Sequence, residues 1–119
     1  MASQHRRVLL VEDDPEVGRR VAAMLERADY DVDGPHLTLA DAMAALARHF
    51  PDCAVMDVSL HRQDAGLLAD DLAMYDIPFI LCAGRGDGDR LPRNFPAAPL
   101  LHKDQLGATL LPMLDVTLH

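Results

Sequence analysis

Aromatic side chains are scarce in this sequence: three Phe, two Tyr and no Trp among 119 residues. A core must therefore come mostly from Leu, Val, Ala and Met. Basic residues are also few, 11 Lys and Arg against 19 Asp and Glu, for a net charge of −8. That balance argues against nucleic-acid binding, which needs clustered Lys and Arg on the phosphate backbone. There are two cysteines, Cys53 and Cys82. Both lie in apolar runs and read as buried, reduced thiols of a cytoplasmic protein. No apolar run is long enough to span a bilayer, so no membrane association is expected. The polar start at residues 1–7 is not followed by an apolar stretch of signal-peptide length. Repeats, low-complexity segments and linkers are absent. A chain of this length, half of it apolar, reads as one domain over residues 1–119, with no output domain.

What is present is an alternation of apolar runs and helical stripes. Ala54-Val55-Met56-Asp57-Val58 is the central one, a short continuous apolar run of the kind buried on both faces of a parallel sheet. Residues 53–58 form the third strand, with Asp57 at its carboxyl end. The first strand is residues 7–11, running into Glu12-Asp13-Asp14-Pro15. Asp14 suits a helix N-cap with Pro15 at the first helical position. Val17, Val21, Met24, Leu25 and Ala28 then recur at helical spacing. Residues 30–34 read as a polar edge strand. Thr38 with Asp41 resembles a capping box, and Leu39, Met43, Leu46 and Ala47 stripe the second helix. The third helix is expected over residues 65–74, carrying Leu67, Leu68 and Leu72. Strand four spans residues 77–83 and leads into a Gly-rich turn, residues 84–88. Pro92, Pro96 and Pro99 leave room for about one turn of fourth helix. Strand five is residues 99–102, closed by Lys103. Asp104 is expected to cap a last helix that starts at Gln105 and stops or kinks at Pro112.

This is an α/β chain of (βα)5 type. A parallel five-stranded sheet with helices on both faces is expected, with strand order 2-1-3-4-5 as in flavodoxin-like folds. That order makes strands one and three neighbours, so Glu12, Asp13 and Asp57 meet at their carboxyl ends. Lys103 arrives from strand five. Three close carboxylates need a counter-charge. A hard divalent cation with oxygen ligands, Mg²⁺ above all, is suited to supply it. A cation and an ammonium beside one carboxylate can hold a phosphoryl group while that carboxylate attacks it. The plainer alternative is an ion-pair network that caps the strand ends.

These residues resemble a family. Val8-Leu9-Leu10-Val11-Glu12-Asp13-Asp14-Pro15, the Asp57 strand and Leu100-Leu101-His102-Lys103 look like the receiver domain of response regulators in bacterial two-component signalling. The likeness covers almost the whole chain. It implies that Asp57 accepts a phosphoryl group from a histidine kinase or histidine phosphotransfer protein. It implies Mg²⁺ as cofactor, held by Asp13, Asp57 and the Ser59 backbone carbonyl, with Glu12 acting mostly through water. Lys103 would pair with the phosphoryl group. Pro78-Phe79 before a Gly turn, with a thin fourth helix, looks like a stand-alone subgroup whose fourth strand runs from Pro-Phe into Thr-Gly-Tyr.

Two departures stand out. Where receivers place a phosphoryl-binding Thr or Ser, this chain has Ala83. Where they place a switching aromatic on strand five, it has Leu101. Asp104 also replaces the usual proline after the lysine. Arg85 is a candidate phosphoryl contact in place of the missing hydroxyl, with a solvated loop arginine as the plainer alternative. Three functions follow. The first is a single-domain response regulator acting through a protein partner or as a phosphate sink. The second is a degenerate receiver that binds a partner whatever its phosphorylation state. The third, an aspartyl-nucleophile phosphatase, wants a second Asp two residues after Asp57 as acid and base, and Ser59 stands there. The chain is therefore not expected to be an enzyme. His5, His36, His49, His61, His102 and His119 show no metal-ligand spacing. Receivers often pair through the fourth helix, fifth strand and fifth helix. Here that face carries Pro92, Pro96, Pro99 and Pro112, which leaves homodimerisation open.

Overall fold

Val8, Leu9, Leu10 and Val11 are all buried, so β1 (Arg7–Val11) is apolar on both faces and must be covered on both. The computed structural model, which describes residues 5–60, 65–84 and 90–118, shows how. β1 is flanked by β2 (Asp31–His36) and β3 (Cys53–Asp57), with β4 (Phe79–Ala83) and β5 (Leu100–His102) beyond. All pairs are parallel and the order is β2-β1-β3-β4-β5. Alternate residues of each strand feed two cores. Leu9, Val11, Ala54, Met56, Phe79 and Leu81 face α2 (Leu39–Arg48) and α3 (Gly66–Met74). Val8, Leu10, Val55, Ile80, Cys82 and Leu101 face α1 (Pro15–Arg27) and α5 (Leu106–Leu118). Cys53 and Cys82 are buried free thiols, and burial pushes each up to about 12.

The helix starts follow their capping chemistry. Asp14 Oδ1 accepts from the N–H groups of Glu16 and Val17, and Pro15 opens α1. Thr38 Oγ1 accepts the Asp41 N–H at the start of α2. α4 (Arg90–Asn94) is a single short turn among prolines, as the sequence indicates. Phe95, just after it, packs edge-on against Phe79, with ring centroids 5.5 Å apart.

Several boundaries and stripes differ from the sequence expectation. The second strand is an edge strand, but it runs to His36 rather than ending at Gly34. The extra length comes from a bulge: Leu9 pairs with Asp33 and Val11 with His36, so Gly34 and Pro35 stand opposite Leu10 alone. Ala42, Ala45 and Leu46 carry the buried stripe of α2, and Ala47 is exposed. Leu67 of α3 is likewise exposed, while Leu68 and Leu72 are buried. Asp104 does not cap the last helix. It lies inside a 3-10 turn, Lys103–Gln105, that leads into α5.

α5 does not stop at Pro112 but runs through it to Leu118. Pro112 lies on the exposed side, as does Ala108, whose carbonyl loses its i+4 donor and can turn to water. Leu110 before the proline and Leu114 after it are both fully buried, which anchors both halves to the sheet. Burial thus overrides propensity. Pro112→Ala restores the missing N–H at no packing loss and should raise stability by about 1–3 kcal/mol in urea denaturation. A decrease instead means that the proline ring itself contributes to the fold.

Candidate functional site

The carboxyl edge of the sheet gathers the charged residues. Glu12 and Asp13 follow β1, Asp57 ends β3, and Lys103 follows β5. Asp57 is 1% exposed and Glu12 4%, the two buried charged residues among those described. Lys103 Nζ donates to Asp57 Oδ2 at 2.9 Å and to Glu12 Oε2 at 3.1 Å, bridging the two. Asp57 Oδ1 accepts from the Ser59 N–H at 3.1 Å and from Ser59 Oγ at 3.3 Å. The Asp14 N–H donates to Glu12 Oε2 at 3.0 Å. Behind the site, the Glu12 N–H donates to the His36 carbonyl at 3.0 Å.

Opposite pKa shifts fall on the two buried acids. Burial, reinforced by the Asp57 charge, pushes Glu12 up to about 7 against the Asp14 N–H and Lys103. Burial also pushes Asp57 up, but its side-chain contact with Asp13 and the hydrogen bonds donated by Lys103 and the Ser59 N–H outweigh this and hold the carboxyl below its ordinary value. Burial alone would lower Lys103. Its hydrogen bond and charge interaction with Asp57, then those with Glu12, outweigh this and raise it above the ordinary lysine value. Asp57 is thus an ionised carboxylate at neutral pH, held by an ammonium.

Glu12, Asp13 and Asp57 each offer a ligand oxygen, all within 4.8 Å of one another. This donor set is all hard oxygen, which suits Mg²⁺ and not a soft metal. Once Glu12 too has lost its proton, three carboxylates against one ammonium leave two negative charges, the charge of one divalent cation.

The structure therefore brings together Glu12, Asp13, Asp57, Ser59 and Lys103, the residues singled out in the sequence. Ala83 ends β4, paired with His102, and is buried with only a methyl to offer. Leu101 is 1% exposed and seated in the core that faces α1 and α5. Arg85, His61 and His119 lie outside the described residues. Four hydrogen bonds had not been read from the sequence: the Glu12–Lys103 bond, the two Ser59 bonds to Asp57, and the support of Glu12 by β2. The last had a signal in Gly34-Pro35, since both residues interrupt a strand ladder.

Such an α/β domain, with an acidic pocket at the carboxyl edge and a lysine across from it, defines a receiver class, and comparisons agree. No family model matches the chain. SdrG from Sphingomonas melonis Fr1 is 30% identical in its solution structure, over 95% of this chain and 99% of that one, with a TM-score of 0.76. A CheY-like receiver domain protein from Methanospirillum hungatei JF-1 superposes with a TM-score of 0.84, over 97% of this chain and 94% of that one, at 21% identity. The transcriptional regulatory protein PdtaR of Mycobacterium tuberculosis is 29% identical over 102 residues, 85% of this chain. The chain spans about half the length of the curated relatives it matches. It belongs to the CheY-like receiver domains of response regulators.

The raised Glu12 carboxyl carries a pH signature. Between its unfolded value of 4.5 and about 7, the folded chain keeps a proton that the unfolded chain has lost. Stability should therefore fall as pH rises across that window, by up to about 3 kcal/mol. Urea denaturation in EDTA at pH 5 and pH 8 measures this, and Glu12→Gln should flatten the difference. An equal slope in the variant assigns the effect to other groups.

Proposed function

We propose that this receiver domain takes a phosphoryl group on Asp57 from a histidine kinase or a histidine phosphotransfer protein. The observation that carries the reading is the Lys103 bridge between Asp57 and Glu12, with Asp13 alongside. Asp57 is ionised and therefore nucleophilic. Its carboxylate oxygen attacks phosphorus, the P–N bond to the donor histidine breaks, and the imidazole leaves with the electron pair and picks up a proton. Lys103 then pairs with the phosphoryl oxygens instead of the free carboxylate. Asp13, Asp57 and the Ser59 carbonyl would hold Mg²⁺, with Glu12 acting through water. Bound Mg²⁺ supplies charge neutralisation at the phosphoryl oxygens. A groove of about 240 Å³, lined by Val17, Arg20, Met24, Lys103 and Leu106, opens beside Lys103. No described helix is long and apolar enough to cross a membrane, and a cytoplasmic setting fits the free thiols.

Output on this reading passes through a protein partner, or the domain drains phosphate from a kinase. PdtaR is named as a transcriptional regulator, but the match spans half of it, so that output is not carried over. A second reading is favoured by Ala83 and Leu101: a degenerate receiver that binds its partner in either phosphorylation state. A methyl at residue 83 cannot hydrogen-bond a phosphoryl oxygen, and Leu101 is already fully buried with nothing to turn inward. We propose no phosphatase activity, because Ser59 stands where that chemistry needs an acid.

Acetyl phosphate with Mg²⁺ should add one phosphoryl group by mass spectrometry, and neither Asp57→Asn nor EDTA-treated protein should take it up. No mass shift in the natural chain sinks the first reading and favours the second. Ala83→Thr should make phosphorylation perturb the amide resonances of β4 more strongly than in the natural chain. Equal perturbation in both shows that Ala83 is not where the switch is lost.

A further inference from the structure

We infer that Gly18 is a positioning residue for the metal site, acting through Pro35 and the backbone of Glu12. The inference rests on the reading of Glu12, Asp13 and Asp57 as a divalent-cation site. Gly18 is buried on the α1 face that meets the β2 bulge. A Cβ placed on it would lie 2.7 Å from Pro35 Cβ and 2.9 Å from Pro35 Cγ, closer than real Cβ contacts come. A proline ring is rigid and cannot swing aside. The same Cβ would stand 3.7 Å from Glu12 Cγ. Gly18 thus lies at the junction of the acidic pocket and the end of β2.

The other side of the junction is equally tight. Gly34 has φ 132°, and a Cβ there would run into the Leu10 carbonyl oxygen. Gly34 therefore lets the bulge press against β1, and Pro35 then seats on Gly18. His36 follows, and its carbonyl accepts the Glu12 N–H at 3.0 Å. The chain of contact is Gly18 to Pro35, Pro35 to His36, His36 to Glu12. Bulges beside sites commonly re-aim a side chain. Here the bulge fixes the backbone from which the Glu12 carboxylate projects toward Asp57 and Lys103. A glycine inside a helix weakens it, and this close approach is the physical reason to keep one.

The experiment is Mg²⁺ titration, followed by amide resonances of the folded protein well below its melting temperature. Gly18→Ala should weaken Mg²⁺ binding 5- to 20-fold although alanine favours the helix. At saturating Mg²⁺, uptake from acetyl phosphate should return to within about twofold of the natural chain. In a Glu12→Gln background the same substitution should have no further effect on Mg²⁺ affinity, because Gly18 acts through Glu12. Arg19→Ala, exposed on the same helix, should leave affinity unchanged. Should Gly18→Ala not fold, Pro35→Ala removes the ring from the other side and should weaken Mg²⁺ binding as well. Unchanged affinity in the variant that folds overturns the inference, as does an equal loss with and without Glu12. A natural chain that takes up no Mg²⁺ overturns the metal site itself, a result distinct from either.

Discussion

The Lys103 ammonium bridging Asp57 and Glu12 is the interaction on which the site depends. It joins residues 46 and 91 positions apart in sequence, and it exists only because the sheet order puts β1 and β3 side by side with β5 at the edge. Two carboxylates would not be buried this deeply without it, since an unpaired buried charge is costly. The lysine does not treat them alike. Asp57 also accepts from Ser59 and stays ionised, while Glu12 is dominated by burial and titrates near neutrality. One acid is held as the carboxylate, and its neighbour keeps its proton to a higher pH.

Around this centre the domain is asymmetric. On the proposed reading, phosphoryl uptake would use the acid cluster and the lysine. The positions that would transmit the event carry a methyl at Ala83 and an aliphatic side chain already buried at Leu101. Neither has an alternative hydrogen bond to gain or a large rotamer change to make.

Much of this was legible in the sequence because the signals were local. The unbroken apolar runs of β1, β3 and β4 specify doubly buried strands, and (βα)5 alternation restricts topology enough to bring Glu12, Asp13, Asp57 and Lys103 together. Asp14-Pro15 gives the start of α1 from capping chemistry alone. What was not legible depended on three-dimensional competition. Pro112 reads as a helix stop, yet Leu110 and Leu114 bury on both sides of it and carry α5 through. Gly34-Pro35 reads as the end of a strand, yet it is a bulge whose meaning appears only when Gly18 is beside it. Ala47 and Leu67 fit a periodic stripe but fall on its solvent side.

The bulge has a further consequence, for what the sheet cannot do. β2 is one open edge, and there Pro35 lacks an N–H, the ladder is out of register, and Asp31 and Asp33 add charge. β5 is the other edge, three residues long, with the His102 N–H facing the Gln105 Oε1 at 3.3 Å. Neither edge offers a long, flat row of free backbone groups to a strand from another molecule. Two sheets of this kind are poorly built to join into one. Association with another protein is then a matter of side chains on helices and loops, which can be made and broken without a continuous backbone ladder.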